Sequence, residues 1–129
     1  MNRATIKGNR KGFALILTLA AALILMSTGM ANAGHFTGDC STELNAVEAA
    51  IVAGTYSGNR AATNQSNLLA KLEAADAKIG LGKNDGAIDK LMDISDKATA
   101  WAGARKAKLD DATDINNAVA NAIACVGGL

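Results

Sequence analysis

The sequence predicts an all-α protein, a small up-and-down four-helix bundle that follows a cleaved N-terminal signal peptide. Three observations lead to this prediction. The chain contains no proline, and no segment alternates apolar and polar residues as a half-buried strand does. In four segments after residue 39, apolar residues recur at steps of three and four, the spacing of one helix face. The first 33 residues have the composition of an export signal.

Residues 1–33 contain the three parts of a signal peptide. Four basic residues and no acidic ones precede an apolar run of 14 residues, 13–26, and Ala31-Asn32-Ala33 supplies the small residues that signal peptidase recognises. The alternative is a transmembrane anchor, but this run is shorter than the roughly 20 residues that span a bilayer. We therefore expect cleavage after Ala33, a secreted or periplasmic location in a bacterium, and no stable membrane insertion afterwards.

Residues 34–129 are predicted to form one disulfide-stapled helical domain of 96 residues. The signal peptide removes four of the thirteen Lys and Arg residues, which leaves nine against twelve acidic residues and a net charge of −3. An acidic domain with few aromatic residues is not typical of nucleic-acid binding proteins, so we expect no nucleic-acid partner. The local basic cluster of Arg105, Lys106 and Lys108 is interpreted as a solvated helix end, in a segment, residues 103–108, that is either a connection or a frayed helix end.

The first helix is predicted to begin near Ser41, with Asp39 or Ser41 as its N-cap, and to stop at Gly54. Residues 34–39 before it are expected to be loose, and residues 55–59 after it form a loop. His35, the only histidine, is expected to lie in this flexible tail without a role. A single histidine with no second histidine or paired thiolate does not make a metal site.

Residues 67–101 form the clearest pattern, a helical hairpin. The second helix is expected from residue 61 or 66 to residue 79, and the third from residue 85 to residue 102. Gly80 and Gly82 can adopt the left-handed conformation that ends a helix, and Asn84 or Asp85 can cap the next one. The predicted core stripe consists of Leu68, Leu72, Ala75 and Ile79, then Ala87, Leu91, Ile94, Ala98 and Trp101, widened by Ile88 and Met92.

The last helix is expected after a cap at Asp110 or Asp111, with Ile115, Val119 and Val126 on its core stripe and Cys125 at the border. In an exported chain, two cysteines favour one disulfide, Cys40–Cys125. Closing a loop of that length contributes about 4.5 kcal/mol by the chain-entropy relation. The start of the first helix and the end of the last lie together in a bundle of four helices but not of three, so the pairing independently favours four.

Acidic residues provide the remaining candidate sites. Asp89, Asp93 and Asp96 form an acidic row, read either as a surface for a cation or basic partner or as a solvated helix face with Lys97 near Asp93. A calcium loop around Gly86 is rejected, because its first and twelfth ligand positions would be Leu81 and Met92. Paired carboxylates, either in this acidic row or among Asp110, Asp111 and Asp114, are the only candidates for an enzyme. We expect no catalytic residue, no metal and no cofactor.

The hairpin resembles the FIMAH-like helical module of secreted bacterial proteins over roughly residues 67–126. That family's pattern of leucines, a glycine turn and a further apolar stripe is matched by Leu68, Leu69, Lys71, Leu72 and Ala75, then Gly82, Ala87, Ile88 and Leu91, then Ala112, Ile115 and Ile123. Ile94 stands where the family usually has phenylalanine. The family has no established catalytic residues, so the resemblance implies an accessory or interaction module.

The sequence therefore predicts a non-catalytic secreted or periplasmic helical interaction or accessory module, whose partner is an unknown protein or envelope component. Tyr56 and Trp101 are the candidate binding-surface residues, because aromatic side chains often contribute much of the binding energy of an interface. Trp101 also fits the core stripe, whereas Tyr56 is expected to be exposed. The alternative is a small-ligand or ion-binding carrier of the cell envelope, which a sizeable internal cavity would favour.

Overall fold

The structure, a computed structural model, describes residues 35–129; the predicted signal peptide lies outside the described residues. Four α-helices form a bundle, which confirms the predicted all-α class. They are α1, Ser41–Ala53; α2, Ala61–Gly80; α3, Asn84–Ala102; and α4, Thr113–Gly127. Each helix packs against its neighbours in the chain, and α4 closes the bundle against α1. The α1–α2 seam is the least extensive of the four.

The predicted stripes form the core. Leu72 and Leu91 have no exposed surface, and the buried residues recur at three- and four-residue steps on every helix. Two large core residues were not predicted, because they belong to the connections: Phe36 precedes α1 and Leu109 lies between α3 and α4. The fully buried large side chains are Leu44, Val47, Ile51, Leu68, Leu72, Leu91, Ile94, Leu109, Ile115, Val119 and Val126.

The turn between α2 and α3 ends α2 with a Schellman motif. The N–H of Lys83 donates to the carbonyl of Lys78 at 2.8 Å, and that of Gly82 donates to Ile79 at 3.0 Å. Gly82 has φ 72°, the left-handed conformation in which glycine is free of strain. The predicted glycine turn is therefore present, with Gly82 in the special position and Gly80 still helical.

The predicted N-caps of α1 and α3 are wrong. Cys40 and Lys83 occupy those positions, and neither makes a side-chain capping bond. Cys40 adopts φ 59° as its chain turns into α1. At α4, Asp111 does act near the predicted place: its Oδ1 accepts the N–H of Thr113 at 2.9 Å and the hydroxyl of Thr113 at 2.8 Å. These bonds lower the pKa of Asp111.

The two ends of the bundle are fastened differently. At one end the connections before α2 and α4 pair as an isolated antiparallel bridge between Tyr56 and Leu109. The N–H of Ser57 donates to the carbonyl of Lys108 at 3.0 Å, and that of Asp110 donates to Thr55 at 2.9 Å. At the other end the start of α1 meets the end of α4, where the cysteines lie. This arrangement agrees with the up-and-down order.

Candidate interaction surfaces

The cysteine pair joins the first and last helices. The Sγ atoms of Cys40 and Cys125 lie 2.07 Å apart and their Cα atoms 5.9 Å apart, so the chain is closed across 85 residues. The carboxylate of Glu43 lies within 4.8 Å of both sulfurs, a donor set of the kind that holds a metal ion. Sulfurs bonded to each other are not thiolates, however, and thiolates are the metal ligands. The pair therefore acts as a staple.

The segment before α1 is fixed against the bundle, so the expectation of a loose lead-in with His35 in a flexible tail is wrong. Phe36 is buried, with 5% of its surface exposed. The ring nitrogens of His35 contact carboxylates on two helices: Nδ1 lies 3.3 Å from Glu48 Oε2 on α1, and Nε2 lies 3.2 Å from Glu73 Oε2 on α2. This segment covers the α1–α2 seam, where the helices contact each other least.

Tyr56 and Trp101 both lie at the bundle end formed by the paired connections. Tyr56 is half-buried, and its hydroxyl donates to the carbonyl of Ile51 at 2.9 Å. Burial raises the pKa of the Tyr56 hydroxyl to about 12. Tyr56 thus has a structural contact that its loop position did not indicate. Trp101 is also half-buried and packs against the core, and its carbonyl accepts the N–H of Lys108 at 3.0 Å.

Several polar side chains connect the helices to one another. Gln65 on α2 caps the end of α1, since its Nε2 donates to the carbonyls of Ile51 and Val52 at 3.3 and 3.2 Å. Between α3 and α4, Asn116 accepts the hydroxyl of Ser95 at 2.8 Å and donates to the hydroxyl of Thr99 at 2.9 Å. These residues were not predicted from the sequence, because each pairs with a helix far away along the chain. The only local indication that these residues connect helices is that they lie next to the apolar stripes in the sequence.

The acidic row is solvent-exposed along α3. Asp93 Oδ2 lies 3.4 Å from Lys71 Nζ on α2, and this is the ion pair of Asp93 in the described part of the chain. The predicted partner was instead Lys97 on the same helix. The basic cluster at residues 105–108 is exposed and lies in the α3–α4 connection, which is one of the two placements expected for it, and not at a helix end.

The described surface has several grooves that are open to solvent. Four of them have volumes between about 250 and 510 Å³. A groove of about 420 Å³ lies between α2 and α3, with Lys71, Lys90 and Lys97 around it and Ala70 and Ala74 among its other lining residues. Another, of about 510 Å³, lies between α1 and α4 beside Cys125. None of these four is an enclosed chamber inside the bundle.

The fold and its surfaces define a disulfide-stapled four-helix bundle. Comparisons with protein families, with curated proteins and with solved structures found no match. Within residues 35–129, none of the helices combines the length and the apolar character needed to cross a bilayer.

Proposed function

We propose that the protein is a non-catalytic helical interaction module, exported through the signal peptide of residues 1–33 and acting on another macromolecule of the cell envelope. The main support for this proposal is that the chemically reactive side chains of the protein make structural contacts. The ring nitrogens of His35 contact two carboxylates, the hydroxyl of Tyr56 donates to the carbonyl of Ile51, and the two cysteines are joined. Chemistry on a substrate needs a positioned base, nucleophile or metal that is free to react.

Export is supported by composition and by the cysteine pair. Structural disulfides form in oxidising compartments such as the bacterial periplasm. A chain that begins with a basic, apolar and small-residue succession is directed to those compartments. Intact-mass measurement of the exported protein is expected to give a chain beginning at Gly34, with two hydrogens fewer than the reduced form.

The resemblance of residues 67–126 to the FIMAH-like module supports an accessory role, because that family works without established catalytic residues. The carrier alternative has less support. A buried small-molecule site encloses most of its ligand, whereas the four described grooves are open to solvent. We therefore place the activity on the outer surface of the bundle.

The experiment that tests the proposal is recovery of partners from native envelopes with variants of the two aromatic residues. Trp101→Ala is compared with Tyr56→Phe, which keeps the ring and removes the hydroxyl. Loss of a partner with an unchanged melting temperature would identify a binding face, whereas loss of both would identify a structural residue. If the purified protein turned over a substrate at a rate abolished by an Asp substitution, the non-catalytic proposal would be overturned.

A further inference from the structure

Large apolar residues and carboxylates lie together on the outer surface along the α3–α4 seam. The hydrogen bonds of Asn116 to Ser95 and Thr99 locate this seam. Met92 lies one helical turn before Ser95, and Ile88 one turn earlier, on the same side of α3. Because α4 runs antiparallel to α3, Ile123, two turns after Asn116, lies toward the same end as Ile88. Three large apolar residues therefore follow the seam.

The central residue of this group is solvent-exposed. Met92 has 49% of its surface exposed, although its spacing predicted that it widens the core stripe. Ile88 and Ile123 are only half-buried. On α3, Asp89 and Asp96 are exposed and stand three residues before and four residues after Met92, so both carboxylates are its surface neighbours. We call Ile88, Met92, Ile123, Asp89 and Asp96 the acidic-apolar face.

Within the described bundle, neither helix of the acidic-apolar face places a lysine or arginine on it, and the basic residues of the α3–α4 connection, Arg105, Lys106 and Lys108, follow the end of α3. Helix α4, Thr113–Gly127, contains no Lys or Arg, and its one charged residue is Asp114. The two lysines of α3, Lys90 and Lys97, line the groove on its opposite side, toward α2. The carboxylates beside Met92 therefore have no basic residue of α3 or α4 on their own side. An exposed methionine between carboxylates suits an apolar side chain that is flanked by cations.

From these observations we propose that the acidic-apolar face binds a cationic amphipathic segment, most simply a helix, of another protein. This inference rests on the proposed function and specifies its partner class. A second copy of the chain does not fit, since an isologous contact would bring Asp89 and Asp96 against the same carboxylates. An anionic lipid surface does not fit either, because it repels the same charges. Apolar residues seated against Met92 and Lys or Arg beside the two carboxylates would satisfy the face.

The test uses the purified exported protein and a defined probe, a synthetic 18-residue amphipathic helix of Leu and Lys. The control peptide carries Glu at every Lys position. Nuclear magnetic resonance titration is expected to shift the amides of Ile88, Met92 and Ile123 with the Leu/Lys peptide and not with its Leu/Glu counterpart. Affinity should fall as salt is raised, because exposed charges are screened.

Variants locate the site. Met92→Ser and the double change Asp89→Asn with Asp96→Asn are each expected to weaken binding by about fivefold or more, equivalent to losing about 1 kcal/mol. The matched controls are Leu81→Ser, at a leucine 70% exposed in the α2–α3 turn, and Asp76→Asn on α2. Both should leave the affinity within about twofold of the unchanged protein, and melting temperatures confirm that all variants fold.

Unchanged affinity in Met92→Ser, or equal binding of the Leu/Glu peptide, would overturn the assignment. A photo-crosslinking residue at position 92, compared with one at position 101, separates this inference from the proposed function. If a native partner is captured only from position 101, the proposal of an interaction module stands, but the assignment of its binding site to the acidic-apolar face is wrong. A partner captured from position 92 supports the face only if its crosslinked segment is cationic and amphipathic.

Discussion

Asn45 binds the backbone of Phe36 through both ends of its side-chain amide. The N–H of Phe36 donates to Asn45 Oδ1 at 2.9 Å, and Asn45 Nδ2 donates to the Phe36 carbonyl at 3.1 Å. Burying the Phe36 ring removes its backbone groups from water, and each such group then needs a partner. One side chain of α1 meets both needs. The first apolar residue of the described chain is thereby fixed to the core.

Removing this clamp should destabilise the domain. We expect Asn45→Ala to lower the free energy of unfolding by about 1–3 kcal/mol, because a backbone donor and acceptor beside a buried ring lose their partner. Denaturant unfolding measures the change. Asn117→Ala, at an exposed asparagine of α4, is the matched control and should cost no more than about 0.5 kcal/mol. Equal effects of the two substitutions would contradict the structural role of the clamp.

The sequence could not reveal this clamp. The core stripes of Leu68, Leu72 and Leu91 were predictable because helical periodicity is a local signal. Phe36 stands alone among polar residues, so it has no period to recognise, and its partner Asn45 is nine residues away on another element. Met92 shows the opposite difficulty. It lies at the edge of a predicted stripe, and only the packing of α4 decides whether such an edge is covered.

The cysteine pair should contribute strongly to stability. The chain closed between Cys40 and Cys125 spans 85 residues, for which loop closure alone contributes about 4.5 kcal/mol. For a domain of this size, reduction should lower the melting temperature by at least about 10 °C. Calorimetry with and without a phosphine reductant measures this. The double variant Cys40→Ser with Cys125→Ser should melt at the lower temperature whether or not the reductant is present. If the reductant did not change the melting temperature of the unsubstituted protein, no bond would be present.

The disulfide is one part of the fold that could be predicted from the sequence. In a chain predicted to be exported, two cysteines near opposite ends of the domain predicted the bond, and the bond favoured four helices over three. No comparable residue pair in the sequence indicated the contacts at the other end of the bundle, where the connections before α2 and α4 meet. The bridge between Tyr56 and Leu109 joins two loops that are more than fifty residues apart in the sequence. Because loops have no sequence periodicity, this contact could not be predicted. Tyr56 was therefore expected to be exposed, whereas it is half-buried.

Tyr56 should make the domain sensitive to alkali. An exposed tyrosine has a pKa near 10, and burial raises that of Tyr56 to about 12. Between these values the folded chain keeps a proton that the unfolded chain loses, so stability present below about pH 10 falls as the pH approaches 12. Because the chain has one tyrosine, its ultraviolet absorbance titration reports this pKa directly.

Tyr56→Phe separates this effect from the titration of lysines. The substitution removes the hydroxyl that donates to Ile51, so the free energy of unfolding near neutral pH should fall by about 0.5–1.5 kcal/mol. It should also remove the part of the alkaline decline that belongs to Tyr56. A tyrosine that ionises near pH 10, together with identical alkaline unfolding of both proteins, would contradict the buried hydroxyl.

Core and surface positions on the same helix should differ sharply in their effect on stability. Leu91 has no exposed surface, and Leu91→Ala should cost about 2–5 kcal/mol through lost burial and the cavity left behind. Asp93, two residues later, is 53% exposed and lies 3.4 Å from Lys71 Nζ. Exposed ion pairs contribute little, so Asp93→Ala should change stability by no more than about 0.5 kcal/mol.

Lys71→Ala completes the comparison at the ion pair. If Asp93 and Lys71 interact only across solvent, the double variant should equal the sum of the single changes within about 0.5 kcal/mol, in low and in high salt. A coupling of 1 kcal/mol or more would instead make this pair a connection between α2 and α3. If Asp93 contributes nothing to stability, its carboxylate is not needed to hold α2 and α3 together. The acidic row is then free to bind a partner.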